Sequence, residues 1–426
     1  MISRLVKSTE AKNAGWLIAG RVIQLMITFV MGIFTTRYLG PGNYGLINYA
    51  NVFVAFFTPV CTLGIQSVII RDFVNHPGEE GKALGSSLVF RLISGFFSSI
   101  IIVVCVSITD SGETATIVIA AICSFQLVFR AFDLFHYWFQ YKQKASVIAI
   151  VMLVAHIATS FYKAYLLVSK KSIYWFATAV PMDYLILAVM IYCVYKKNDG
   201  PELIFSRKKG FELLSSSYHF ILSGMMVAVY AQTDKFMLKQ MLDETSVGYY
   251  SLASSINMMW VFVLQAVIDA FYPAIMKLYS VDQNQFERKN RQLYATIEYI
   301  SLFVAICFTI FGRSAVQMVY GEAYVPASDP LKVICWYTMF SYLGVARDAW
   351  IVCKGLQKYL KYMYLCAAVL NVILNLLLIP ISGMNGAAVA SLTTQIATSL
   401  IFPCFVKELR PNIKLIIEAL FLIKTR

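Results

Sequence analysis

The sequence predicts an all-α polytopic membrane protein, with about 12 transmembrane helices in two six-helix bundles around a central cavity. Three observations predict it. Of the 426 residues, 59% are hydrophobic and only 14% charged, where a soluble domain carries roughly 25% charged residues. Hydropathy averaged over a window of about 19 residues picks out a regular series of apolar stretches, each long enough to span a bilayer. A short sequence near the start also recurs at about half the chain length. This composition excludes a typical soluble enzyme. The net charge of +13 would suggest nucleic acid in a soluble chain. With no aqueous domain to hold a phosphate-binding face, it is assigned to cytoplasmic loops and excludes nucleic acid as partner.

Taken in order, Arg4, Lys7 and Lys12 precede an apolar run from Trp16 to Phe34 that no small-residue cleavage site follows. It reads as a retained first helix. The spans are expected near residues 14–34, 46–66, 84–106, 115–135, 146–168, 174–195, 217–239, 248–274, 293–312, 331–352, 360–380 and 385–405. Between them lie breakers such as Gly40-Pro41-Gly42-Asn43, Asn75-His76-Pro77-Gly78 and Asn198-Asp199-Gly200-Pro201, residues that end helices through their backbone preferences. On alternate sides of these spans, Lys and Arg number 24 against 5. That bias predicts both termini in the cytoplasm of a cell whose inner membrane holds the chain. The nine cysteines sit mostly in apolar runs without CxxC spacing and read as reduced, packed residues.

Tyr44-Gly45-Leu46-Ile47-Asn48-Tyr49-Ala50 aligns with Val247-Gly248-Tyr249-Tyr250-Ser251-Leu252-Ala253, 203 positions later. Both segments follow the first helix of their half and open the second. The expected organisation is therefore a six-helix bundle over 1–200, a cytoplasmic linker over 201–210 and a second bundle over 211–406. A basic amphipathic tail over 407–426 would lie on the cytoplasmic membrane surface.

Charges at bilayer depth are costly and usually face a cavity, a partner or an ion path. At 100° per residue, Gln126, Arg130, Asp133, Tyr137 and Gln140 form one stripe on the fourth span. Ser87, Arg91, Ser94 and Ser98 do so on the third, His156, Ser160 and Lys163 on the fifth, and Arg21, Gln24 and Thr28 on the first. Ser223, Tyr230 and Asp234 align on the seventh span, and Asn371 and Asn375 on the eleventh. Several helices with one wet face predict a water-filled cavity, while the Ser, Thr and Asn members also suit interhelical contacts. Arg21, Arg91, Arg130 and Lys163 make the first half's cavity basic, which points to an anionic substrate. Guanidinium forks suit phosphate. Arg21 and Arg91 have no acidic residue within one turn, whereas Arg130 and Asp133, at i and i+3, also suit an internal ion pair. Asp133, Asp234, Asp269, Glu298, Asn371 and Asn375 are the candidates for ion coupling or polar cavity lining, and Asp183 reads as snorkelling from a helix end. The aromatic residues Tyr137, Trp138 and Tyr141 suit an interfacial belt or the stacking of sugar rings.

The sequence has no GxxxxGK[ST] phosphate loop, no GxSxG and no paired carboxylates in a large soluble segment. His76, His136, His156 and His219 are scattered, without metal-ligand spacing. The chain is thus expected to be no enzyme and to need no cofactor or metal.

Ordered short matches along the whole chain resemble the Wzx-type polysaccharide flippases, the oligosaccharidyl-lipid exporters of the MATE-like MOP superfamily. They are Arg37-Tyr38-Leu39-Gly40-Pro41-Gly42-Asn43-Tyr44-Gly45, Trp138-Phe139-Gln140, Asp234-Lys235-Phe236-Met237-Leu238, Val247 to Ala253, and Pro273. Tyr320-Gly321-Glu322-Ala323-Tyr324, Asn371 to Pro380 and Gly383-Met384-Asn385-Gly386-Ala387-Ala388 complete the series. The chain departs from the pattern at Tyr141, where relatives tend to have Gly. The resemblance implies a MATE-like fold of two rocking bundles. It also implies a lipid substrate, undecaprenyl pyrophosphate carrying an O-antigen or other surface polysaccharide repeat unit, as in lipopolysaccharide assembly. The substrate would move from the cytoplasmic to the periplasmic leaflet by ion-coupled alternating access, with a polymerase and a chain-length regulator as partners. The alternative is a MATE-like cation-coupled drug antiporter, which would want an acidic cavity.

Overall fold

The computed structural model describes residues 9–422, with side chains from Ile23 onward except at Leu25, Ser67 and Ala145. Among the described residues all regular structure is helical. The chain divides into two compact units, Met1–Gln232 and Thr233–Arg426.

In the first unit, α1 (Thr9–Thr62) carries the first two predicted spans as one element kinked at Gly40, where φ is 72° and ψ 168°. Only glycine adopts that combination without strain. Pro41, which lacks an N–H and has a preset φ, then restarts the helix. α1 stops at Leu63 and Gly64, whose φ angles are 54° and 58°. A side chain at Gly64 would meet the Ser217 carbonyl at 2.8 Å. α2 (Gln66–Asn75) and α3 (Glu80–Thr109) follow. The fourth predicted span is broken into α4 (Thr114–Ser124), α5 (Gln126–Phe129), a tighter turn at Arg130–Asp133 and α6 (Leu134–Tyr141). At the break, Gln126 donates to the Cys123 carbonyl at 2.8 Å and to Asn51 Oδ1 at 3.0 Å, and such insertion of a side chain into the ladder interrupts a helix. α7 (Ala145–Val168), α8 (Ile173–Ala177) and α9 (Ala179–Lys197) complete the series. The core gathers Ile65, Ile69, Phe73, Phe135, Phe139 and Tyr195. Trp138 also lies in it, 4.9 Å from the Tyr195 ring, so it belongs to the packed interior and not to an interfacial belt.

The segment expected as a linker is docked. Ile204 N–H donates to the Gly81 carbonyl at 3.1 Å, and Ser86 Oγ bonds both the N–H and the carbonyl of Ser206, at 2.9 and 3.0 Å. Gly85 permits this approach, because a Cβ there would stand 2.6 Å from the Ile204 oxygen. Buried Lys209 reaches buried Asp72 at 2.7 Å. α10 (Arg207–Met241) begins here, and the division between the units falls within it.

In the second unit, Asp243 accepts from Ser246 N–H at 2.6 Å to start α11 (Glu244–Tyr279), and Asp282 accepts from Gln285 N–H at 3.0 Å to start α12 (Gln283–Tyr320). Both are side-chain caps on otherwise unpaired amides. α13 (Ser328–Cys353) precedes α14 (Lys358–Ile396), which carries the eleventh predicted span and the start of the twelfth across non-helical Gly383, with φ 57° and ψ −136°. A wider turn at Ala397–Ile401, α15 (Phe402–Phe405) and α16 (Arg410–Leu420) end the chain. The tail helix is amphipathic as expected, but its apolar face packs on protein. Leu415, Ile416 and Ala419 join a core with Phe286, Tyr294 and Trp350, and Arg291 pairs with Glu418 at 2.8 Å.

By length and hydropathy, nine helices among the described residues are able to cross a membrane. The expectation of about twelve differs for physical reasons: α1 and α14 each run through a glycine kink, and α13 carries Asp329, Lys332, Arg347 and Asp348. All nine cysteines are free thiols.

Candidate substrate and ion sites

The first unit gathers most of the predicted cations into one polar seam. Its centre is the end of α1, where the last carbonyls of a helix lack intrahelical partners. Three side chains from neighbouring elements bond this last turn. Ser94 Oγ donates to the Val60 carbonyl at 2.9 Å, Arg91 Nε to the Thr62 carbonyl at 3.0 Å, and Arg130 to Thr58 Oγ1 at 3.1 Å. A cation at a helix C-terminus also complements the macrodipole. Arg91 is wholly buried, yet both terminal nitrogens lack a hydrogen-bond partner. They lie toward the Tyr137 ring, whose centroid is 6.0 Å from Cζ, and Tyr137 donates to Gln66 at 3.0 Å. The third-span stripe thus faces protein, with Ser87 and Ser98 buried beside Arg91.

Arg130 stands over the Tyr184 ring at 5.0 Å and reaches Asp133 at 3.8 Å, a long ion pair. Asp133 acts electrostatically on Arg91 as well, and Tyr184 feels Arg130, Asp133 and Asp183 together. Through Asp183 the seam continues. Asp183 accepts from Thr159 at 2.7 Å and pairs with His156 Nδ1 at 2.8 Å, and the other ring nitrogen of His156 contacts Gln24. Lys163 interacts electrostatically with the same carboxylate. Asp183 is therefore an internal anchor and does not snorkel. Helical spacing puts His156 and Lys163 on one face but does not reveal their carboxylate, because a lone aspartate near a predicted helix end carries no spacing signal. Arg21's side chain lies outside the described residues.

The second unit holds a different arrangement. Asp234 is buried and accepts from Asn375 at 2.8 Å and Asn371 at 3.4 Å on Oδ1, and from Ser391 at 2.5 Å and Tyr250 on Oδ2. Asn375 also donates to Asn371 at 3.1 Å. Hydrogen bonds to a charged acceptor contribute about 1.5–3 kcal/mol each, so the carboxyl group is compensated by neutral donors, with Lys235 beside it in the chain acting on it only electrostatically. Three predicted ion-coupling residues thus meet at one point. They are joined by Tyr250 from the repeated motif and by Ser391, which no sequence pattern singles out.

The remaining candidates stand apart. Asp269 is exposed and bonded by Gln265 at 2.9 Å. Glu298 is buried, with Oε2 unpartnered and no ion pair among the described residues. Arg347, also buried, donates to the Thr398 and Ser399 carbonyls at 3.0 and 3.4 Å, in the widened turn after α14.

Two units of long apolar helices with these buried charges define a multi-pass membrane protein, whose fold is similar to that of solved structures of the MOP superfamily. An inward-facing multidrug resistance MATE family transporter of that superfamily superposes with a TM-score of 0.69 at 14% identity, over 91% of this chain and 96% of the other. The lipid II flippase MurJ, in an inward closed conformation, gives 0.69 at 15% identity over 97% and 91%. A MOP superfamily transporter from Pyrococcus furiosus gives 0.65 at 12% over 96% and 98%. No curated protein matches the chain in sequence. The family profile described as polysaccharide biosynthesis protein matches residues 11–279, and the chain belongs to that family.

Proposed function

We propose that this protein is a flippase, which carries an undecaprenyl-pyrophosphate-linked oligosaccharide from the cytoplasmic to the periplasmic leaflet of a bacterial inner membrane. The observation that carries the reading is Arg91, wholly buried, with neither terminal guanidinium nitrogen in a well-formed hydrogen bond and Tyr137 the side chain it interacts with there. Donors left without an acceptor are costly unless a ligand takes them, and a guanidinium fork matches pyrophosphate oxygens. Arg130 and Lys163 extend the basic seam, and Arg21 is assigned to it from its place on the first span. Family membership and the likeness to a lipid II flippase support a lipid-linked glycan as the class of substrate.

In this reading, Asp234 with Asn371 and Asn375 holds the coupling cation for alternating access, while Asp133, Asp269 and Glu298 are polar residues of the path. Both termini face the cytoplasm, where the basic loops lie. The polymerase and chain-length regulator of the same glycan pathway are its partners. A drug antiporter of MATE type is disfavoured by the basic seam, since an organic cation wants acidic lining.

The test is complementation of a strain lacking its own polysaccharide flippase, with the cognate glycan supplied. The wild type is expected to restore surface glycan, and Arg91→Ala at matched membrane levels to leave lipid-linked oligosaccharide stranded. Rescue by both would remove Arg91 from the site. Failure by both would overturn the flippase reading.

A further inference from the structure

A groove of about 440 Å³ opens on the first unit, lined by α1 and α7. Its walls are Met26, Val30 and Met31 on α1 and Ile157, Phe161 and Ala164 on α7, with Ser160 the one polar member among its lining residues. On each helix these positions follow the i, i+3, i+4 pattern, as from Ile157 to Ser160 and Phe161, so each wall is one helix face. At 1.5 Å per residue, the stretch from Ile157 to Ala164 runs for roughly 10 Å. Phe161 at 72% exposure and Met26 at 64% stand open at its rim.

Apolar surface facing lipid is ordinary in a membrane protein. This groove is set apart by what adjoins it on the same two helices. Gln24, two residues before Met26, contacts His156, the residue before Ile157. His156 is held by Asp183, and Lys163, one turn beyond Ser160 and next to Ala164, interacts with the same carboxylate. Beyond Asp183, Tyr184 leads to Arg130. An apolar trough therefore runs alongside the polar seam that carries the unit's cations. Its chemistry fits an amphiphile whose chain emerges directly from an anionic head.

We propose that this groove seats the polyprenyl chain of the transported lipid, over the isoprene units nearest the pyrophosphate. The inference rests on the flippase reading and deepens it. The chain is then held at a defined place on α1 and α7 while the headgroup engages the basic seam, instead of trailing through bulk lipid. Each buried methylene favours the seated state by the hydrophobic effect only to the extent that the groove fits better than lipid. The site is therefore expected to select for chain shape more than to add affinity.

The test uses the full-length protein in nanodiscs of phosphatidylethanolamine and phosphatidylglycerol. The probe is a polyprenyl pyrophosphate bearing a photoreactive benzophenone on the isoprene unit next to the head. Saturable cross-links are expected at 26–31 and 157–164, displaced by unlabelled polyprenyl pyrophosphate and not by added phosphatidylglycerol. Ala164→Trp and Ile157→Trp, which fill the groove, are each expected to abolish most of this labelling, because the indole takes the volume the chain would occupy. Val168→Trp, on the same helix at 84% exposure and outside the groove, is expected to leave it unchanged. Saturable labelling elsewhere overturns the groove and leaves the flippase reading standing. Labelling displaced equally by phosphatidylglycerol makes the groove a general lipid contact and also overturns the proposal. No saturable binding anywhere overturns the groove together with the proposed substrate.

Discussion

Arg91 in the first unit and Asp234 in the second are buried charged groups held in opposite ways. In the first, a wholly buried arginine keeps two donor nitrogens without a well-formed hydrogen bond, and the ion pair of its neighbour Arg130 with Asp133 is long, at 3.8 Å. In the second, a buried carboxylate is surrounded by four neutral donors. A buried group without partners is a cost that a ligand can relieve, whereas a satisfied one is already stable and resists change. The difference teaches that the first unit's central cation is left for something outside the fold to satisfy, while the second unit's central carboxyl group is already held by partners within it.

The sharpest way to break this contrast is Asp234→Ala. It strands the amides of Asn371 and Asn375 and the hydroxyls of Ser391 and Tyr250, at about 1–3 kcal/mol for each donor left unsatisfied. The thermal midpoint of the purified protein is expected to fall steeply, with no surface glycan in complementation. Asp234→Asn keeps the shape and removes the charge. It is expected to recover much of the stability but not transport, and recovery of both would mean that the fixed charge has no part in coupling.

Arg91→Ala is expected to act the other way round. It gives up one hydrogen bond to the Thr62 carbonyl and leaves a cavity, offset in part by removing two buried donors without a well-formed bond, so stability should fall less than with Asp234→Ala while transport is lost. Arg91→Lys keeps the charge without the fork and is expected to restore only a small part of the transport. If Arg91→Ala instead melts as early as Asp234→Ala, its role is to end α1 and the contrast between the units fails.

How much of this is legible in the sequence follows from what each feature depends on. Spans and kinks are local, so the break at Gly40-Pro41 is recognisable from residue type alone. The Asn371, Asn375 and Asp234 candidates are legible too, because intramembrane polar residues at helical spacing are rare. Their meeting with Tyr250 and Ser391 is not, since it depends on how four helix segments pack. The docking of Pro201 to Lys209 is hidden for a related reason. A Pro- and charge-rich stretch reads as a free linker, and only the bare surfaces of Gly81 and Gly85 allow it to lie against α3. Within the seam, His156 and Asp183 pair across 27 positions, a separation no periodicity reports.

That pair offers a gentler probe. Asp183, held by Thr159 and His156, is like Asp72 a satisfied carboxylate of the first unit, so it stands outside the contrast. Asp183→Asn is expected to lower stability by about 1–2 kcal/mol, the worth of weakened hydrogen bonds to a formerly charged acceptor. Transport is expected to fall less than with Arg91→Ala, measured as surface glycan at matched membrane levels. A loss as complete as that of Arg91→Ala would make the His156–Asp183 pair part of the transport chemistry and bring the two units closer in kind.

The smallest effect is expected at Glu298, which puts the second unit's fixed-charge character to its finest test. It is buried, with Oε2 unpartnered and no ion pair among the described residues, so Glu298→Gln removes no stabilising contact and keeps the volume. Stability is expected to stay within about 0.5 kcal/mol of the wild type, with transport retained at every pH tested. If transport survives but loses its dependence on pH, Glu298 carries a proton through the cycle. The second unit would then hold an open titrating site beside its closed one, and the division of labour between the units would have to be redrawn around two carboxyl groups in one bundle.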